Sequence, residues 1–271
     1  MVFLDAHNHL QDERLSSSLD EIIAECERIG VRRAVVNGTH PRDWPRVAAL
    51  AERCPWVLPS FGVHPWYVDD LPNDYLSTLV SYLDRFPSCV GEIGIDHWKE
   101  GIDRARQEEI FLAQLSIARE RRLPVTIHGL KAWGRLLELL RVHGAPTRGF
   151  LLHSYSGPRD MVGAFTELGA YFSVAPAFFA PKRERKLDVF RHVPLDRLLA
   201  ETDAPDQAPS PETDLYRTGT DQSLGFNHPG NIQLVYSGIA QVLGISQDEV
   251  AERMKENLTR LFGANHYESD V

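Results

Sequence analysis

Eight short apolar runs, each followed by a stretch of helical periodicity, divide this chain from end to end, and that alternation constrains its fold more than anything else in the sequence. The runs fall at residues 2–10, 32–37, 56–63, 90–96, 124–128, 149–153, 170–175 and 197–203. Between the first two, Leu19, Ile22, Ile23 and Cys26 recur at helical spacing behind a Ser18-x-x-Glu21 capping box and stop at Gly30. Further helices are expected at 41–54, 72–86, 104–122, from Trp133 onward, and at 159–168 and 182–192. After the last run, residues 206–230 are rich in Pro, Gly, Asp and Thr and are expected to form a long active-site loop; helices follow at 231–243 and 248–262. Strands that short and apolar, each returned by a helix, specify a closed parallel barrel rather than an open sheet. A (β/α)8 TIM barrel needs about 250 residues, so the 271 present make one domain over 1–271, with 264–271 read as a flexible tail.

In such a barrel, chemistry sits at the C-terminal ends of the strands. The first run breaks into Asp5-x-His7-x-His9, and residues two apart on a strand point the same way, so two imidazoles leave one side of its end. His64 ends the third run, Glu92 lies within the fourth, His128 and His153 end the fifth and sixth, and Asp203 ends the eighth. Any one of these is more often a satisfied core residue than a ligand. A Glu inside Val90-Gly91-Glu92-Ile93-Gly94-Ile95 is seldom tolerated unless paired or bound to a cation, and several imidazoles on one rim have no packing explanation. The reading is a site for two divalent metal ions, Mg2+, Mn2+ or Zn2+, with His7, His9, Glu92 and Asp203 on one and Glu92, His128 and His153 on the other. Cations about 3.5–4 Å apart clamp the attacking and leaving oxygens of an ester, and Asp203 is expected to orient the attacking water and take its proton.

The six motifs that carry this set are Asp5-Ala6-His7-Asn8-His9-Leu10, Gly62-Val63-His64-Pro65, Gly91-Glu92-Ile93-Gly94-Ile95-Asp96, Pro124-Val125-Thr126-Ile127-His128, His153-Ser154-Tyr155-Ser156-Gly157 and Glu201-Thr202-Asp203-Ala204-Pro205. In this order, across nearly the whole chain, they resemble the TatD-like metal-dependent deoxyribonucleases of the amidohydrolase superfamily. The resemblance implies a distorted barrel, a site for one to three metals and a 3′-to-5′ exodeoxyribonuclease or phosphodiesterase activity. It also suggests His64 as an accessory ligand or phosphate contact. An amidohydrolase-type lactonase, amidase or deaminase would share most of the skeleton, but Glu92 at the bridging place, rather than a lysine open to carbamylation, favours the phosphodiesterase. A partner subunit with a purely structural metal site is the third alternative, and the complete ligand set weighs against it.

The chain departs from that family at two places. The arginine usual after the fifth strand is absent, with Lys131 the nearest cation, and the segment after Asp203 is acidic at Asp206, Glu212, Asp214 and Asp221 before Asn227-His228-Pro229. Lys182, Arg183 and Arg185, beyond the seventh strand, are candidate phosphate contacts, and Trp66, Trp98 and Trp133 are candidates to stack on a base, Trp133 more readily packing against helices. A net charge of −9 argues against broad, patch-driven affinity for nucleic acid, although bound cations would be the largest local charges where a phosphate sits. The expected substrate is therefore a short or terminal phosphodiester of a nucleic acid or nucleotide-like ester. No apolar span suits a membrane, and Cys26, Cys54 and Cys89 form no Cys-x-x-Cys pair, so a cytoplasmic protein is expected.

Overall fold

The computed structural model describes residues 1–181, 183–216 and 226–263, with residues 184 and 185 described by their backbone alone. Lys182, the side chain of Arg185, the part of the long loop that carries Asp221, and the 264–271 tail lie outside the described residues.

Eight parallel strands form one sheet in sequence order: β1 Phe3–Asn8, β2 Val31–Asn37, β3 Val57–Phe61, β4 Cys89–Asp96, β5 Val125–Leu130, β6 Phe150–Leu152, β7 Ala170–Val174 and β8 Leu198–Ala200. Helices α1 Leu19–Ile29, α2 Trp44–Arg53, α3 Tyr75–Arg85, α4 Arg104–Glu120, α5 Trp133–His143, α6 Val162–Glu167 and α7 Glu184–Leu187 return the chain between strands. α8 Ile232–Leu243 and α9 Gln247–Phe262 follow β8. The arrangement is the (β/α)8 barrel that the alternation implies, and no described helix is long and apolar enough to cross a membrane.

The distortion lies at the seam between β1 and β8. The expected strand over 197–203 shortens to Leu198–Ala200, because Asp203 turns into the left-handed region at φ 53°. Closure passes instead to the chain beyond it: Asp203 N–H donates to the His7 carbonyl (2.9 Å) and His9 N–H to that of Ala204 (2.7 Å). The buried Asp5 carboxylate reinforces the seam, accepting from Thr202 N–H (2.9 Å) and its hydroxyl (2.5 Å). From outside, the Tyr236 hydroxyl of α8 accepts from Leu4 N–H at 2.9 Å.

Several helices are shorter than their periodicity predicts, among them α3, which covers Tyr75–Arg85 of the expected 72–86, and α6, Val162–Glu167 of the expected 159–168. The first turn expected at 41–43 is taken up by Asp43, whose carboxylate accepts from Thr39 N–H and hydroxyl, so α2 begins only at Trp44. The stretch 182–192 divides into α7 and a 3-10 turn, Asp188–Arg191.

Candidate metal centre

The strand ends converge on one cleft of about 1060 Å³, whose lining includes His9, His64, Glu92, His128, His153 and Asp203. Its centre is Glu92, fully buried on β4. The ladder to β5 shifts register between Val90 and Ile93, and Glu92 N–H donates to the Gly38 carbonyl (2.8 Å), beyond the end of β2. Such an irregularity re-aims a side chain, here into the mouth. Close approach of β5 depends on Gly94: at φ 154°, an added Cβ would lie 2.0 Å from the His128 carbonyl oxygen.

The two oxygens of Glu92 face different partners. Oε2 lies 3.5 Å from His7 Nε2 and 3.3 Å from His9 Nε2; Asp203 Oδ1 lies 3.3 and 3.5 Å from the same nitrogens, which are 3.2 Å apart. Each oxygen thus closes a triangle of 3.2–3.5 Å sides with the two nitrogens, small enough for one point to lie about 2.1 Å from all three corners, the length of a Zn–N or Mg–O bond. On the other side, Oε1 lies 3.0 Å from His128 Nδ1 and 2.8 Å from His153 Nε2, with 3.2 Å between the nitrogens. Those are the separations of three adjacent corners of an octahedron with arms of about 2.1 Å, leaving its remaining corners open. The residues present therefore fit divalent cations on either side of Glu92.

Outer contacts decide which nitrogen of His9 and of His128 points inward. His9 Nδ1 lies 2.7 Å from the Asn37 carbonyl, an acceptor only, so Nδ1 carries the proton and Nε2 keeps its lone pair. His128 is turned the other way, with Nε2 2.9 Å from Asp96 Oδ2 and Nδ1 facing Glu92. His153 Nδ1 lies 3.7 Å from Glu201 Oε1, and Glu201 is itself held by Ser154 and Ser173. His7 Nδ1 and His153 Nδ1 are buried without a hydrogen-bond partner among the described residues.

His64, Glu92 and His128 also come close enough to form a cation cluster. His64, however, caps the turn after β3: its Nδ1 accepts Trp66 N–H at 3.1 Å, which leaves the neutral ring's proton on Nε2, 3.4 Å from Glu92 Oε1. That nitrogen is a donor, not a lone pair, so geometry favours a hydrogen-bonding role over ligation. His40-Pro41-Arg42 and His228-Pro229-Gly230 use their Nδ1 identically.

The electrostatics ask for positive charge. Burial pushes the Glu92 carboxyl up, but His153, His64 and His128 overcome it and hold it well below its usual range; His7, His9 and His153 do the same for Asp203. Conversely, against burial, Asp203 and Glu92 hold His9 well above the ordinary imidazole value, and Glu92 and Glu201 do so for His153. Carboxylates this dry need cations beside them. His64 is the exception, pushed down to about 4 by burial.

Of the proposed substrate contacts, Trp66 and Arg183 line the cleft, joined by Trp98 and Lys186. Trp133 is buried against Tyr155 at a ring separation of 4.6 Å, and the wall runs through Gly129 and Leu130, leaving Lys131 exposed outside it. The supporting carboxylates Asp96 and Glu201 were not in the sequence-derived site. Asp96 had a signal: four positions from Glu92 on one strand, it points to the same face. Arg14 had none, since its partners Asp12 and Asp206 belong to opposite ends of the chain.

Known proteins resemble the chain over nearly its whole length. The family model described as TatD related DNase matches residues 4–263. A Danio rerio protein named putative deoxyribonuclease tatdn3 is 29% identical over 96% of this chain and 97% of its own length. A Bacillus subtilis protein named uncharacterized metal-dependent hydrolase YabD is 27% identical over 97% of this chain and 100% of its own. Among solved structures, YjjV, a TatD homolog from Escherichia coli, superposes with a TM-score of 0.86 at 28% identity, covering 97% of this chain and 98% of the other.

Proposed function

The chain belongs to the TatD related DNase family, and we propose that its cleft hydrolyses the phosphodiester bonds of DNA with two divalent cations held on either side of Glu92. The observation that carries this reading is the division of Glu92 between two imidazole pairs, His7 with His9 and His128 with His153. Bound there, Mg2+, Mn2+ or Zn2+ would supply Lewis acidity to the phosphoryl oxygens and make a water nucleophilic near neutral pH.

The protein's own part is positioning and proton transfer. Asp203, held ionised and fixed at its backbone by the hydrogen bond to His7, accepts the proton of the attacking water. His64, neutral and with its proton on Nε2, donates to a non-bridging phosphoryl oxygen. Arg183 and Lys186, exposed on the β7 side and without an ion pair among the described residues, take a neighbouring phosphate. The opposite rim offers little more: Arg14 is taken by Asp12 and Asp206, Arg42 by Asp70 and Arg46 by Glu13. So few free cations on these two rims among the described residues suit short or terminal phosphodiesters, with 3′-to-5′ removal the direction the family resemblance implies.

Metal-stripped protein reloaded with each cation and assayed on single-stranded DNA, RNA, bis-p-nitrophenyl phosphate and a lactone tests the proposal. Hydrolysis of DNA and the simple diester, with two equivalents of metal by elemental analysis, is expected. Lactone turnover alone would place the chain with the amidohydrolases, and one equivalent at full activity would exclude the two-cation reading. A 3′-terminal phosphorothioate should block DNA degradation, whereas a 5′ one should not.

A further inference from the structure

On the β3–β4 side, the cleft has a wall unlike the rest of its lining. Trp66, two residues past His64, sends its indole N–H to Asp96 Oδ2 at 2.7 Å, the oxygen that also faces His128 Nε2. The other oxygen of Asp96 accepts the backbone N–H groups of Trp98 (2.7 Å) and Lys99 (3.0 Å), which pins the loop after β4. Lys99 Nζ lies 4.4 Å from the centre of the Trp66 ring, and the Trp98 ring stands 6.4 Å from it at an interplanar angle of 33°. A single carboxylate thus orients a metal-site imidazole, an indole and the backbone carrying a second indole.

Trp98 is nonetheless 52% exposed, whereas Trp44, Trp56 and Trp133 are buried in the core. A large aromatic on a rigid backbone, facing a cleft and packed against little of its own chain, is what a stacking platform requires, because every base offers a π-face of matching size. Lys99 adds a cation beside that surface.

We propose that Trp66 and Trp98 form a nucleobase subsite, in which the base next to the scissile phosphate stacks on Trp98 while its phosphate lies at the Glu92 centre. The assignment rests on the phosphodiesterase reading and makes a narrower claim: the enzyme holds a base, not only a phosphate.

The test uses the full chain and two fluorescein-labelled oligonucleotides of equal length and charge, tetrathymidylate and its abasic tetrahydrofuran counterpart, titrated by anisotropy. Wild-type protein should bind the base-bearing strand about tenfold more tightly, the scale of one stacked base. Trp98→Ala should bring that ratio close to one, and Trp98→Tyr should restore most of it. Equal binding of the two strands by the wild type, or a ratio unchanged in Trp98→Ala, overturns the subsite. An enzyme that still hydrolyses DNA in that event keeps the phosphodiesterase reading; failure to hydrolyse any phosphodiester with any metal removes that reading instead. Trp98 would then be a surface for some other partner.

Discussion

The guanidinium of Arg14 and the carboxylate of Asp206 meet through two parallel hydrogen bonds of 2.9 and 2.8 Å across the lip of the cleft, joining the loop after β1 to the loop after β8. Asp12 fills the other edge of the same guanidinium, and Arg14 also lies over the Phe226 ring at 5.3 Å. The fork that would suit a phosphate is therefore occupied by carboxylates of the protein itself. The acidic character noted for this loop is, at Asp206, a neutralised charge rather than a repulsive one.

Asp206→Asn should release one edge of Arg14 to the substrate. Longer single strands are expected to bind more tightly, and the log–log dependence of affinity on salt should steepen by about 0.7, one phosphate contact. Titration of an octanucleotide across a salt series would show it; an unchanged slope would mean that Arg14 stays with Asp12.

Glu92→Gln keeps the size of the side chain but removes the charge shared by both clusters. Turnover should vanish and metal content fall below that of the wild type by elemental analysis. Unchanged metal content would show that Glu92 is not the shared ligand.

Asp203→Asn should retain the fold, since its backbone bond to His7 does not involve the side chain. The amide accepts no proton, so kcat should drop by about 10²–10⁴. Near-normal turnover at saturating metal would remove Asp203 from proton transfer.

Asp96→Ala leaves His128 Nε2 and Trp66 Nε1 without their common acceptor. Removing a carboxylate behind a metal-binding imidazole typically costs 10–100-fold in metal affinity. Calorimetric titration of Mn2+ into stripped protein measures it, and a loss shared by Trp66→Phe would show that the indole acts through Asp96.

His228 offers a pH test outside the metal centre. Burial holds its pKa below the ordinary imidazole value, and its ring stacks on Tyr216 at 4.7 Å. Below about pH 6.5 the unfolded chain then binds more protons at this residue than the folded one, so its contribution to stability is full above that pH and is lost as the pH falls. His228→Gln should be less stable at pH 7 yet lose less melting temperature between pH 7 and pH 5 than the wild type. An equal loss in both proteins would refute the linkage.

The barrel and the residues at its centre were legible in the sequence because their signals are local. Alternation of strand and helix is written in hydrophobic periodicity, and a parallel barrel brings all its strand ends to one rim, so His7, His9, Glu92, His128, His153 and Asp203 could be gathered by position alone. What tertiary structure decided is which atom of each points where. The Asn37 carbonyl turns His9 and Asp96 turns His128, and those choices depend on neighbours from other strands. The backbone of Trp66 makes His64 a hydrogen-bond donor, a matter of turn geometry that composition does not carry. The seam between β1 and β8 and the pairing of Arg14 with Asp206 join groups nearly two hundred residues apart, whose proximity exists only once the sheet has curled on itself. Periodicity specifies which face a residue takes; only closure of the barrel specifies what it meets there.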